Sequence, residues 1–151
     1  MSSVALSGAD TIMINNTLIT DLADGDTVDL TFPNDIATIK TGKNGNSIYG
    51  LNETGKQAEV VMRVIRGSAG DKFLMGLLSS QLNNFAGTVL MTGQFVKKIG
   101  DGTGNITSDT YIMSGGVFNK QVPGKMNVEG NTDQSVSMYS MRFTNSPRVI
   151  T

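Results

Sequence analysis

The chain has no cysteine, no histidine and no tryptophan, and only three prolines. Without cysteine and histidine there are no disulfides, no thiolate or imidazole metal ligands, no thiol nucleophile and no triad with a histidine base. Most common enzyme chemistry is excluded on those grounds, and the expectation is a non-enzymatic protein with no cofactor and no bound metal. Aromatic residues make up only 6% of the chain, which leaves few stacking platforms for sugars and disfavours a carbohydrate-binding domain. A surplus of either charge is missing too. Twelve Lys and Arg stand against 13 Asp and Glu, for a net charge of -1, so nothing overall favours holding nucleic-acid phosphates. There is no basic-then-apolar leader, and no apolar run approaches the ~20 residues that cross a bilayer. The expectation is a soluble chain made inside the cell. No linker, composition shift or internal repeat divides residues 1–151, which predicts one domain.

What is present begins with one convincing helix, over 68–83. Ser68 with Asp71 three residues later resembles a capping box whose carboxylate also suits the positive end of the helix dipole. Phe73, Leu74, Leu77, Leu78 and Leu82 form one apolar stripe, with Lys72, Ser79, Ser80 and Gln81 outside it. Asn83-Asn84 is the stop, since Asn tolerates the left-handed conformation that ends many helices. Five buried side chains at roughly 1.5–3 kcal/mol each would gain on the order of 10 kcal/mol, so the stripe must rest on an apolar surface. The rest of the chain reads as strands and turns, and the partner must be a sheet.

Residues 1–10 are small and polar and read as a terminal arm. Thr11-Ile12-Met13-Ile14 and Thr17-Leu18-Ile19-Thr20 flank Asn15-Asn16, a pair able to take the positive φ angles of a tight hairpin turn. Val28, Leu30 and Phe32 alternate with Thr27, Asp29 and Thr31 until Pro33 interrupts the ladder. A weaker strand follows at 36–41. Residues 42–56 are rich in turn formers with few apolar anchors, which predicts a long exposed loop. The β-branched run at 57–66 is a strand feeding the helix through Gly67. Beyond the helix, 87–99 and 106–118 are strands joined by Gly100-Asp101-Gly102-Thr103-Gly104-Asn105. Gly115-Gly116 suggests a bulge or close backbone approach, and Val122-Pro123-Gly124 another bend. In the last strand, Ser135, Ser137, Tyr139, Met141 and Phe143 share one face and Val136, Met138, Ser140 and Arg142 the other. Neither face is purely polar, so cover on both is expected. The tail at 147–151 ends on apolar Val149-Ile150, which suits docking.

Chemical motifs are few. Gly50 to Lys56 matches the opening of a P-loop, but Gln57 replaces the hydroxyl residue that would meet the metal, and a β-branched run follows where a helix should open. It reads as surface loop. Asp21, Asp24, Asp26 and Asp29 cluster near one turn without the spacing of a calcium loop and read as a solvated face. Gly100-Asp101-Gly102-Thr103-Gly104 lies between strands and reads as a turn. A β-rich domain with one packed helix, two unpacked ends and no visible active site suits a structural subunit, because assembly across several subunits is one way to deal with sheet edges.

The order of N-terminal arm, Asn15-Asn16 hairpin, Gly/Asn-rich loop, strand Glu59-Val60-Val61-Met62-Arg63-Val64-Ile65-Arg66-Gly67-Ser68, helix Asp71-Lys72-Phe73-Leu74, strand Thr88-Val89-Leu90-Met91-Thr92-Gly93 and segment Asp109-Thr110-Tyr111-Ile112-Met113-Ser114-Gly115-Gly116-Val117-Phe118 resembles a short tail tube protein of contractile-tailed bacteriophages. The likeness runs over almost the whole chain. It implies a mainly β fold with one α-helix, an antiparallel β-sandwich or barrel-type subunit whose sheet joins its neighbours into a ring-shaped β-barrel. It further implies hexameric rings stacked helically into a hollow conduit for double-stranded DNA, inside a contractile sheath. The partners implied are further copies of the chain, the sheath protein, the tape measure protein, and the terminator and baseplate hub proteins. The site is the virion tail, after synthesis in the host bacterial cytoplasm. The inner tube of a phage-like contractile injection or secretion system is the alternative. Carried onto this chain, the resemblance places subunit contacts in arm 1–10, tail 147–151 and loop 42–56, at Lys43, Asn44, Asn46, Tyr49, Leu51, Asn52, Val149 and Ile150. Strands 57–66 and 134–144 would face the lumen, with Glu59 and Asp133 near their ends.

Overall fold

The computed structural model describes residues 3–7 and 10–151. Within them the order is β1 (Ala5–Leu6), β2 (Thr11–Ile14), β3 (Thr17–Leu18), β4 (Val28–Thr31), β5 (Ala37–Thr41), β6 (Ser47–Leu51), β7 (Ala58–Ile65), helix α1 (Ala69–Asn83), β8 (Met91–Gly100), β9 (Ile106–Lys120), β10 (Val136–Asn145) and β11 (Arg148–Ile150). The fold is mainly antiparallel β with one α-helix among the described residues. The main sheet runs β3-β2-β8-β9-β10-β7-β4, with β1 added beside β8 and β11 beside β9, while β5 and β6 pair only with each other. Its end strands β3 and β4 do not pair, so within the chain the sheet is open rather than closed into a barrel.

Local chemistry explains much of this path. Asn15 and Asn16 take φ of 50° and 62° and close the β2–β3 hairpin as expected. Between Met91↔Gly116 and Gly93↔Met113 the β8–β9 register shifts, which is the bulge signalled by Gly115-Gly116. Gly115 has φ +66°, and a Cβ on Gly116 would run into the Phe143 ring, so both readings of the pair hold. Inward residues of β7 (Val60, Met62, Val64) and β10 (Tyr139, Met141, Phe143) are buried completely, and Ile12, Ile14, Phe95 and Met113 join them in one core.

Helix α1 lies on that core through Leu74 and Leu78, with Phe73 and Leu77 at its margin. Ser68 caps it by accepting from the Asp71 N–H at 3.3 Å, and Asp71 Oδ2 accepts from the Gly67 N–H at 2.8 Å. The expected stripe needs correcting at its end. Leu82 is 57% exposed, whereas Gln81 is buried. β8 begins opposite Gly116, and the Gln81 amide supplies Phe118 with the donor (2.8 Å) and acceptor (2.9 Å) that a further strand residue would have given. Asn84 has φ -148°, so the helix does not stop through a left-handed Asn. Instead Asn84 caps the following short turn by accepting from the Gly87 N–H.

Other expectations are also corrected. Residues 42–56 are not a loop: β6 pairs with β5 over five residue pairs, and Glu53–Lys56 forms a 3-10 turn. Gly55 sits there because a Cβ would lie 2.5 Å from the Asp35 carbonyl oxygen, a packing reason unrelated to phosphate. The strand expected from residue 87 starts only at Met91, leaving Val89 exposed, and β3 ends at Leu18, although the Ile19 N–H still donates to the Ile12 carbonyl at 2.8 Å while its side chain enters the core. Nor are the ends simply unpacked. Ala5–Leu6 pairs with Gly100 and Ile99, and Arg148–Ile150 pairs with 109–111. Met1, Ser2, Gly8 and Ala9 of the expected arm lie outside the described residues.

Candidate assembly surfaces

The β5–β6 hairpin is exposed along the whole length of both strands. Asn44-Gly45 supplies its turn, with Gly45 at φ +83° and the Gly42 N–H donating to the Asn46 carbonyl at 2.7 Å. Period-two alternation then sorts the side chains. Ala37↔Leu51 and Ile39↔Tyr49 stand on one face, and Lys40↔Ile48 and Thr38↔Gly50 on the other. All residues of both strands are exposed, including Ile39 (65%), Ile48 (71%), Tyr49 (74%) and Leu51 (66%). A folded hairpin thus carries an apolar face that nothing among the described residues covers.

The expected contact residues divide accordingly. Tyr49 and Leu51 lie on the apolar face, while Lys43, Asn44 and Asn46 form the turn. Asn52 closes the base, its N–H donating to the Ile36 carbonyl at 2.8 Å and its Oδ1 accepting from the Thr54 hydroxyl. Ile39 was missed, because its partner Tyr49 sits on what reads as loop. Val149 and Ile150 remain about half exposed, although their backbones are tied to β9 and the neighbouring Arg148 pairs with Asp109 through two bonds of 2.7 and 2.8 Å.

A second surface is the face of the sheet turned away from α1. β7 and β10, the two strands expected to line a lumen, are neighbours in register, with Arg142↔Glu59, Ser140↔Val61 and Met138↔Arg63 on that outer face. β4 adds Asp29 and Thr31 opposite Val61 and Glu59. Glu59 therefore lies on this face. Asp133 does not: it occupies the 3-10 turn Thr132–Ser135 at the rim, 3.8 Å from Lys125. The expected cover on both sides of β10 holds for the inner face and for Ser140, whereas Met138 is 41% exposed.

Polar groups elsewhere serve the fold. Partial burial opposes charge on Asp71, but hydrogen bonds from Tyr139, the Gly67 N–H and Ser137, with Arg66 nearby, hold its carboxyl below the ordinary 3.8. Asp101 is held at about 2 by the Thr103 hydroxyl and backbone N–H, with Asn105 adding to it against a small burial effect; these bonds organise the β8–β9 turn. In the Asp21–Asp29 cluster, Asp21 Oδ2 accepts from the Gly70 N–H at 3.1 Å, and the Asp24 carbonyl accepts from Arg63. Among the described residues no three or more carboxylates converge as a metal site. No helix of the described residues is long and apolar enough to cross a membrane. Comparison with protein-family models finds no match, and comparison with curated proteins finds no significantly similar sequence.

Proposed function

We propose that the chain is a structural subunit of the tail tube of a contractile-tailed bacteriophage, with six copies in a ring and rings stacked into a conduit for the genome. The uncovered apolar face of the β5–β6 hairpin carries this reading. A two-stranded hairpin is marginal in water by itself, and Ile39, Tyr49 and Leu51 gain their burial energy only against another surface. The sheet supports the same conclusion. Its unpaired ends β3 and β4 are edges that neighbouring copies would join into a ring-shaped barrel. The outer face of β4, β7 and β10 would then become the channel wall. There Asp29 and Glu59 stand against Arg63 and Arg142, a balance that gives DNA little to hold by counterion release.

In this role the sheath protein packs outside the tube, the tape measure protein occupies the channel before the genome does, and terminator and baseplate hub proteins close the two ends. The chain acts by shape and contact rather than by catalysis. The test is to replace residues 37–51 with a short Gly-Ser turn and follow sedimentation over a concentration series. The expected outcome is a folded monomer where the intact chain assembles. Assembly equal to that of the intact chain would remove the basis of the proposal.

A further inference from the structure

Both ends of the chain are tied to one hairpin. Ala5–Leu6 pairs with Ile99 and Gly100 of β8, and Arg148–Ile150 pairs with 109–111 of β9. β10 covers β9 only from Ser114 onward, so the two end segments flank the part of β8–β9 that protrudes past it. Side-chain register lines up four charges there on one face. Thr11↔Val96 and Ile12↔Phe95 place Asp10 opposite Lys97 one step further along, and Lys97 pairs in turn with Asp109. Arg148 reaches Asp109 diagonally from its place opposite Tyr111. The row Asp10, Lys97, Asp109, Arg148 thus alternates in sign across four segments. It lies at the margin of the core, since its first three members line one cavity with Ile12, Phe95 and Tyr111.

Pairing within the row is uneven. Lys97 stands between two acids but holds Asp10, at 3.0 Å, and also donates to the Ser7 carbonyl of the arm at 3.5 Å. Asp109 is taken by Arg148 through two bonds of 2.7 and 2.8 Å, with the guanidinium over the Tyr111 ring. A bidentate guanidinium outcompetes an ammonium for a carboxylate, so Lys97 is left to the arm while Arg148 occupies Asp109. Directly opposite side chains have Cβ atoms only about 4.5–5.5 Å apart, which puts a vacated Asp109 within reach of the Lys97 ammonium.

We propose that this row is a latch coupling the two ends: when the C-terminal tail lifts and takes Arg148 away, Asp109 draws Lys97 off Asp10 and the N-terminal arm is released with it. Release uncovers the 99–100 edge of β8 and the 109–111 edge of β9 together, so the protruding hairpin is either capped on both sides or open on both. The latch belongs to the single chain, and its test is independent of the assembly proposed above.

Hydrogen exchange of the dilute chain, read by mass spectrometry in peptides from the arm and from the tail, follows each end separately. Arg148→Gln should speed exchange at the tail and also, by about two- to fivefold, at the arm, the range expected for one exposed ion pair. Adding Asp109→Asn removes the competitor for Lys97: the tail stays fast while the arm returns to the wild-type rate. Asp109→Asn alone should likewise loosen the tail and leave the arm slow. Arm exchange that is unchanged in Arg148→Gln, or that stays fast in the double variant, overturns the latch. The arm effect of Arg148→Gln should also vanish in 1 M salt, where the Debye length is about 3 Å; an effect that survives there comes from packing and contradicts the proposal.

Discussion

Asp71 joins three elements. Its carboxylate accepts from the Gly67 N–H before the helix and from the Ser137 and Tyr139 hydroxyls on β10. Tyr139→Phe should therefore cost about 1.5–3 kcal/mol at pH 7, the usual size for a hydrogen bond to a charged group, read by urea unfolding. Asp71 is held below its ordinary value, so its contribution is present above pH 3.8 and lost as pH falls through the lower, folded value. The wild-type and Tyr139→Phe stabilities should accordingly converge in acid. Tyr139 runs the other way. Burial first, then the bond to Asp71 and its charge, raise the phenol above 10, so its contribution is complete below pH 10 and lost as pH rises through the folded value. Gln81→Ala should cost roughly 2–4 kcal/mol in the same assay, because the Phe118 N–H and C=O are left buried without partners. The cap at Ser68 and Asp71 was legible from spacing alone. The role of Gln81 was not, because it depends on where β8 begins relative to β9, a register that no helix periodicity contains.

Among the elements, α1 and the strand at 27–32 were readable because their apolar residues repeat at 3.6 or 2, and the strand at 57–66 because of its β-branched run. Among the described residues the β5–β6 hairpin buries neither face; β5 was readable as the weaker strand at 36–41, whereas the Gly, Asn, Lys and Ser around β6 read as loop. The signal that could have found it is Asn44-Gly45 between Thr38-Ile39-Lys40 and Ile48-Tyr49, a common pair for a tight hairpin turn. Tyr49→Asp tests what the hairpin is for. It should leave the melting temperature within a few degrees of wild type, since an exposed substitution costs within about ±0.5 kcal/mol, yet reduce assembly by tenfold or more. A large loss of thermal stability in the dilute monomer would show instead that the hairpin belongs to the fold.

For the whole molecule, the mainly β, antiparallel class with one helix was legible, whereas the expected barrel was not met: the sheet stays open, with β3 and β4 at its ends. Exposed Tyr49, Leu51 and Ile150 mark the candidate contact surfaces, and under the proposed assembly their cover would lie in another copy. The outer face of β4, β7 and β10 carries its own prediction. Asp29→Lys, Thr31→Lys and Glu59→Lys together should slow DNA delivery in a reconstituted tail without blocking assembly, because added cations hold the backbone by counterion release. Unchanged delivery would count against that face as the wall. The central claim, that this chain builds rings and stacks them, is tested most directly by negative-stain electron microscopy of the purified protein as its concentration is raised. The account predicts six-fold rings that lengthen into hollow tubes; compact single particles at every concentration would contradict it.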